Sequence, residues 1–186
     1  MKRAIDVACA GAGLLVLAPV AALVALAVVV TSRGPALYWS DRIGRHGTVF
    51  RMPKFRTMRV GTPALATDKL ANARSHLTPI GGFLRATSLD EIPQLWSILR
   101  GDMSVVGPRP AIFNQHELIR RRRALGIDAL RPGLTGWAQV NGRDHASEAR
   151  KIELDAEYLR RASLVFDVRI IALTAWRVVR RDGVAH

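Results

Sequence analysis

An apolar segment near the beginning is the feature that most constrains this chain. No charged residue occurs from Val7 to Val30, and basic residues flank the run: Lys2 and Arg3 before it, Arg33 after it. About 20 apolar residues are enough to cross the hydrocarbon core of a bilayer. The segment is therefore predicted to be a membrane helix. It is long for a signal peptide and lacks a convincing cleavage site of small residues.

The topology of this helix has two interpretations. Pro19 lies at the centre of the run, where a proline removes a backbone donor and disrupts helical hydrogen bonds. Basic flanks stay on the cytoplasmic side of a membrane. A re-entrant helix broken at Pro19 keeps both flanks on that side, whereas a spanning helix keeps only one. Prolines are tolerated in spanning helices too, so composition leaves both topologies open.

The charge balance indicates a polyanionic partner. The 186 residues include 28 Lys and Arg but only 15 Asp and Glu, which gives a formal net charge of +13. Nucleic acid, nucleotide phosphates and an anionic lipid surface all match this excess. The single cysteine, Cys9, excludes a disulfide framework. The length allows one domain with a modest core.

Two adjacent carboxylates, Asp90 and Glu91, precede Pro93 at the predicted start of a helix that ends near Arg100. One interpretation is helix capping, because acidic side chains stabilise a helix N-terminus. The other is phosphoryl transfer, with one carboxylate as nucleophile and a metal ion that neutralises charge. Basic residues in glycine- or proline-marked segments favour the second interpretation: Lys54, Arg56, Arg85, Arg109, Arg131 and Arg143.

Other segments predict local structure. Residues 37–39 and 49–52 are expected to form strands of a small hairpin. Prolines on both sides of Arg109 hold it in stiff, extended backbone, and the glycine-rich segment 131–143 is expected to be irregular. Residues 120–123 are four arginines, expected on a solvated or headgroup-facing surface. Residues 164–181 are amphipathic, either in the membrane interface or packed on the core.

Four ordered segments resemble the motifs of the bacterial sugar transferase family, the monotopic phosphoglycosyl transferases that begin polyprenol-linked glycan assembly. The resemblance extends from Lys2 to about Arg177. The four segments are KFRTM (54–58), SLDEIPQ (88–94), GDMSVVGPRP (101–110) and RPGLTGWAQVNGR (131–143).

The resemblance implies a fold that is mainly α with a small β-hairpin. It implies a re-entrant membrane helix in residues 1–33, broken at Pro19, and a membrane-associated catalytic domain in residues 34–186 with amphipathic interfacial helices. It also implies the minimal catalytic form of the family, without additional spanning helices or a fused domain. The expected location is the cytoplasmic face of the bacterial inner membrane.

The resemblance also implies a reaction. A sugar 1-phosphate would pass from a UDP-sugar to polyprenol phosphate, with release of UMP and with Mg²⁺ as cofactor. Asp90 would be the nucleophile and Glu91 its partner at the metal. Expected phosphate or nucleotide ligands are Lys54, Arg56, Arg85, Arg109 and Arg143.

Two other functions stay open at this stage. A membrane-tethered nucleic-acid-binding protein would suit the charge, but the cations are spread through loops and no known reading module occurs, so no nucleic acid is expected. A non-catalytic membrane scaffold would tolerate the loss of both Asp90 and Glu91. Anionic membrane lipids are an expected partner, and a homodimer is a further expectation.

Overall fold

The computed structural model describes residues 1–63, 65, 70, 72–142 and 147–180 and is mainly helical. Within these residues the α-helices are α1 (Lys2–Thr31), α2 (Gly81–Thr87), α3 (Gln94–Arg100), α4 (His116–Ala124), α5 (Trp137–Asn141), α6 (Glu148–Arg161) and α7 (Leu164–Arg180). The strands are β1 (Leu37–Ile43), β2 (Val49–Phe55), β3 (Ser104–Val106), β4 (Ala111–Ile112) and β5 (Gly133–Thr135). Short 3₁₀ turns lie at Arg45–Gly47, Ala73–His76, Leu89–Glu91 and Ile127–Ala129.

Helix α1 is long and apolar enough to cross a membrane. Its 30 residues would span about 45 Å as a straight helix, and helical backbone continues through Pro19. The helix therefore does not end at the break predicted at Pro19. Whether α1 spans a bilayer or re-enters it stays a prediction. One side of α1 packs on the globular body through Ala10, Val24 and Val28, whereas Leu15 on another side is 80% exposed.

Charged residues hold the first turns of α1 on the body. The Arg3 guanidinium donates to the carbonyls of Ile98 and Leu99 at 2.6 and 2.9 Å, in the last turn of α3. The buried Asp6 carboxylate accepts hydrogen bonds from the Ser104 hydroxyl and the Val105 amide, both at 3.0 Å. The flanking charges therefore have definite partners in the fold, beyond any effect on membrane topology.

Arg56 holds the other end of α1. Its side chain is buried, and its three nitrogens donate to the carbonyls of Ser32, Arg33 and Pro35 at 3.0, 2.6 and 2.7 Å. A cation also offsets the partial negative charge of a helix C-terminus. In this structure the Arg56 guanidinium fixes the chain where it leaves α1, and its predicted contact with phosphate stays a prediction.

The predicted hairpin is confirmed, and it belongs to a larger sheet. Strands β1 and β2 are antiparallel, with Tyr38 opposite Lys54 and Arg42 opposite Phe50. The sheet order is β2-β1-β4, so β2 is an edge strand, while β4 adds a short antiparallel pairing that the sequence did not predict. Because side chains alternate between the faces of a strand, Tyr38, Arg42 and Lys54 share one face.

The two glycine-rich motifs contribute strands to a second sheet, although the sequence predicted irregular backbone for residues 131–143. Strands β3 and β5 pair in parallel. A Cβ atom on Gly107 would lie 2.3 Å from the Arg131 carbonyl oxygen, and one on Gly133 would lie 2.1 Å from the Gly107 nitrogen. These glycines therefore let two backbones approach each other.

Helix α7 has two apolar faces. Phe166 and Ile170 are buried in a cluster with Val106, Val140 and Tyr158. The apolar side chains predicted from the sequence lie on the other face: Val165 is 82% exposed and Trp176 is 54% exposed. One face of the helix thus packs on the core, while the other presents an apolar stripe that suits a membrane interface.

Replacing Arg56 by lysine should weaken the attachment of α1. A lysine ammonium cannot reproduce the contact of three nitrogens with Ser32, Arg33 and Pro35, so partly buried carbonyls lose their donors. We expect stability to fall by about 2 kcal/mol or more. Thermal unfolding of the detergent-solubilised protein, followed by tryptophan fluorescence, measures this. Arg59→Lys, at an exposed site, is the matched control, and equal melting temperatures for the two variants would contradict the prediction.

Candidate active site

Asp90 and Glu91 lie in the 3₁₀ turn between α2 and α3, packed against β2. The prediction that they cap a helix is wrong, because α3 begins at Gln94 with Pro93 as its N-cap. Ser88 makes no side-chain capping bond and has left-handed backbone with φ 58°. Asp90 is only 6% exposed, so its carboxylate lies inside the fold rather than at a solvated helix end.

Positive charge from three elements acts on Asp90. Burial and the neighbouring Glu91 carboxylate raise the pKa of Asp90 to about 6, while Lys54, Arg85 and Arg109 act to lower it. Lys54 comes from β2, Arg85 from α2, and Arg109 from the segment between β3 and β4. Three of the predicted phosphate-binding cations are therefore grouped around the acidic pair.

Glu91 has a direct cationic partner. Arg109 Nη2 donates to Glu91 Oε1 at 2.8 Å. Burial raises the pKa of Glu91, but the charge and hydrogen bond of Arg109, with smaller effects of Lys54 and Arg42, bring that pKa below its ordinary value. The two adjacent carboxylates thus differ: Glu91 is held ionised, and Asp90 gains a proton more readily.

Arg42 is a residue of this site that the sequence did not single out. Its guanidinium donates to the Ser40 hydroxyl and to the Pro110 carbonyl at 3.0 and 3.1 Å. Burial and then Arg109 lower the pKa of Arg42 to about 10, and burial and then Arg42 lower the pKa of Lys54 to about 8. The sequence signal that could have identified Arg42 is the alternation of side chains along β1 and β2, which places Arg42 on the same face as Lys54 once the register of the hairpin is known.

The segment that carries Arg109, which we call the Pro-Arg-Pro strap (residues 106–110), is fixed through its carbonyl groups. Donors from several elements bond to it. Lys2 Nζ (3.1 Å) and the Tyr158 hydroxyl (3.3 Å) bond to Val106, the Gly133 amide (2.9 Å) to Pro108, Arg122 Nη1 (2.8 Å) to Arg109, and Arg42 Nη1 (3.1 Å) to Pro110.

The sequence-predicted site residues therefore separate into three groups. Asp90, Glu91, Lys54, Arg85 and Arg109 come together. Arg56 bonds instead to the carbonyls after α1. Arg143 lies outside the described residues.

The donor set of the acidic turn is compatible with Mg²⁺. Carboxylate oxygens are the hard ligands that Mg²⁺ prefers, and proteins commonly hold it through one or two carboxylates together with substrate phosphates. Across the described parts of the chain, no group of three or more His, Cys, Asp and Glu side chains could hold a metal ion. Any metal at Asp90 and Glu91 would therefore complete its coordination with oxygens from water or from a bound substrate.

Comparison with known proteins gives consistent matches. The family model described as "Bacterial sugar transferase" matches residues 1–181. The chain is 36% identical over 184 residues to the UDP-glucose:undecaprenyl-phosphate glucose-1-phosphate transferase of Escherichia coli K12, covering 95% of this chain and 40% of that protein. It is 36% identical over 202 residues to the undecaprenyl-phosphate galactose phosphotransferase of Salmonella typhimurium, covering 98% of this chain and 41% of that protein.

A shorter relative matches over most of its own length. The chain is 37% identical over 188 residues to the uncharacterized sugar transferase EpsL of Bacillus subtilis, covering 99% of this chain and 90% of that protein. The enterobacterial relatives are longer, and the chain spans about two fifths of their length, 40% and 41%.

The two site pKa values can be measured without substrate or metal. We expect the Asp90 carboxyl to be protonated below about pH 6 and ionised above it, because burial and Glu91 raise its pKa from about 4. Lys54 should lose its proton near pH 8. Carbon-13 NMR of labelled aspartate and lysine tests both values, with Asp90→Asn and Lys54→Arg to assign the signals. An Asp90 midpoint at or below about 4 would contradict the first expectation.

Proposed function

Because the chain belongs to the bacterial sugar transferase family, we propose that it transfers a sugar 1-phosphate from a UDP-sugar to a polyprenol phosphate and releases UMP. The names of both longer relatives support undecaprenyl phosphate as the acceptor, and that of the Escherichia coli relative supports a UDP-sugar as the donor. The product would be the first lipid-linked intermediate in the assembly of a surface glycan.

The observation that carries this proposal is an adjacent carboxylate pair, buried at Asp90 and partly buried at Glu91, surrounded by cations. A buried Asp90 beside Lys54, Arg85 and Arg109 is a nucleophile placed where a diphosphate would bind. Guanidinium groups bind phosphate oxygens through paired hydrogen bonds, and lysine binds them as a point charge. The same cations favour the ionised form of Asp90, which is the form that can attack.

In the proposed first step, a carboxylate oxygen of Asp90 bonds to the sugar-bearing phosphorus of the UDP-sugar. The bond from that phosphorus to the bridging oxygen breaks, and UMP leaves with the electron pair. The result is an acyl phosphate that joins Asp90 to the sugar 1-phosphate. A phosphate oxygen of polyprenol phosphate then bonds to the same phosphorus and frees Asp90. Two displacements through one residue predict ping-pong kinetics.

The surrounding side chains have separate tasks in this mechanism. Arg109 keeps Glu91 ionised and fixed at 2.8 Å, so that one carboxylate of the pair stays a constant anion. Lys54 and Arg85 would bind phosphate oxygens beside Asp90. Mg²⁺, held by Asp90 and Glu91 with substrate oxygens, would neutralise charge on the diphosphate.

The contacts of α1 support a re-entrant placement at the cytoplasmic face of the bacterial inner membrane. Arg3 bonds the first turn of α1 to α3, and Arg56, the residue directly after β2, bonds to the chain that follows the last turn of α1, so both ends of the helix are held by one body. A helix that crossed the bilayer would place those ends on opposite sides. The exposed apolar faces of α1 and α7 would then enter the lipid, where the acceptor phosphate lies at headgroup level.

Substitutions in the acidic pair test the nucleophile. Asp90→Asn should abolish both UMP release and the trapping of a phosphosugar adduct, because the amide cannot attack phosphorus. Glu91→Gln should weaken both without abolishing them. Mass spectrometry of the intact protein after incubation with UDP-sugar detects the adduct. Asp41→Asn, an exposed site on β1, is the control. Appreciable turnover by Asp90→Asn would refute the assignment.

The substrate class has an independent test. Membrane fractions that contain the protein should release UMP from at least one UDP-sugar of a panel when polyprenol phosphate is present. Chelation with EDTA should stop the release and added Mg²⁺ should restore it, because without the metal the negative diphosphate would lie against two carboxylates with less positive charge to offset the repulsion. Release that does not change on chelation would remove the metal from the proposal. No release from any UDP-sugar would remove the donor class.

A further inference from the structure

One member of the arginine run in α4 is not a surface residue. Residues 120–123 were expected to face solvent or headgroups, but the Arg122 side chain is only 12% exposed and its partner Asp155, on α6, is 1% exposed. Arg122 Nε and Nη2 donate to Asp155 Oδ2 at 3.0 and 2.6 Å. The pair therefore joins α4 to α6 inside the fold.

The remaining terminal nitrogen of Arg122 reaches the candidate active site. Arg122 Nη1 donates to the backbone carbonyl of Arg109 at 2.8 Å, and the Arg109 side chain in turn donates to Glu91 at 2.8 Å. A chain of direct hydrogen bonds thus runs from Asp155 through Arg122 and Arg109 to the acidic pair.

We propose that Arg122 and Asp155 are positioning residues, which set the backbone of Arg109 and thereby aim its guanidinium at Glu91. This inference rests on the proposed function and adds two residues that contact neither carboxylate of the acidic pair. The prolines on both sides of Arg109 fix φ at residues 108 and 110. The orientation of the peptide group that carries the Arg109 carbonyl therefore sets the direction in which the Arg109 side chain leaves the backbone. Arg122 bonds to the oxygen of that peptide.

The energetics favour a role in geometry over one in stability. Burying two charges is costly, and apolar residues of similar size often replace such a pair without loss of stability. Burial raises the pKa of Asp155 even though the charge and hydrogen bond of Arg122 act to lower it. The Arg122–Asp155 pair thus keeps part of its desolvation cost. It also donates a hydrogen bond to the backbone of Arg109 in the candidate active site, and orienting that backbone best explains why the pair is there.

The decisive variant removes the pair without leaving a buried charge. Arg122→Met combined with Asp155→Leu keeps the volume of the pair but lacks the donor to Arg109. We expect kcat for UMP release to fall by roughly tenfold to a hundredfold, while the melting temperature stays close to that of the wild type. Glu117→Leu combined with Arg120→Met is the matched control, because it removes an exposed ion pair from the same helix. This control should leave kcat unchanged.

A double-mutant cycle shows whether the effect passes through Arg109. The Arg109→Lys background lacks the guanidinium that the pair is proposed to orient. Removing the Arg122–Asp155 pair in this background should therefore change kcat by less than about twofold, because residues that act as one unit have non-additive effects. The same loss in both backgrounds, or no loss in the wild-type background, would overturn the proposal. If the apolar variant does not fold, Arg122→Lys is used instead, since its ammonium keeps a charge beside Asp155 without the planar fork.

A measurement without turnover separates this proposal from the proposed function. In nitrogen-15 NMR, the Arg109 guanidinium, identified by the loss of its signal in Arg109→Lys, should give a slowly exchanging Nη2–H resonance in the wild type, because Nη2 is the atom that donates to Glu91. That resonance should be lost or strongly shifted in the apolar variant and kept in the Glu117/Arg120 control. A wild type that releases no UMP but shows this pattern refutes the reaction and keeps the positioning role. An unchanged resonance in the apolar variant refutes the positioning role.

Discussion

Two adjacent carboxylates inside a fold repel each other, and the rest of this structure supplies the positive charge that allows them to lie there. Each cation comes from a different element: Arg42 from β1, Lys54 from β2, Arg85 from α2 and Arg109 from the strap. The balance is uneven, since the pKa of Glu91 is lowered and that of Asp90 is raised to about 6. Glu91 therefore stays negatively charged near neutral pH, whereas Asp90 can gain or lose its proton there.

Part of the positive charge behind the net value of +13 is used within the protein, where arginines bond to backbone carbonyls. Several arginines bond to backbone carbonyls rather than to an external anion: Arg3 to residues 98 and 99, Arg56 to residues 32, 33 and 35, and Arg131 to Gly101. Guanidinium groups suit this work because a planar fork can serve two or three acceptors at once. The charge excess alone is therefore a weaker argument for a nucleic-acid partner than the composition suggested.

Helix α1 is integrated with the body rather than set apart from it. Its first turn contacts the strap directly, through Lys2 at the carbonyl of Val106, and Lys2 also pairs with Asp167 of α7 at 2.6 Å. The long apolar helix thus shares hydrogen bonds with the segment that carries Arg109. A division of the chain at residue 33 follows hydropathy, but the contacts across that boundary make the helix part of the same packed unit.

The sequence by itself determined the apolar helix, the hairpin, the basic character and the acidic pair with most of its cations, because each depends on residue type or on local periodicity. It assigned Arg56 to phosphate, overlooked Arg42 and placed the whole arginine run of residues 120–123 at a surface. The contacts that the structure gives to these arginines were not predicted for one reason: a guanidinium can bind any nearby oxygen, and sequence does not say which oxygens are near. Only the tertiary structure decided this, by pairing β3 with β5 and by packing α4 on α6, which brings Arg122 within 2.8 Å of the Arg109 carbonyl.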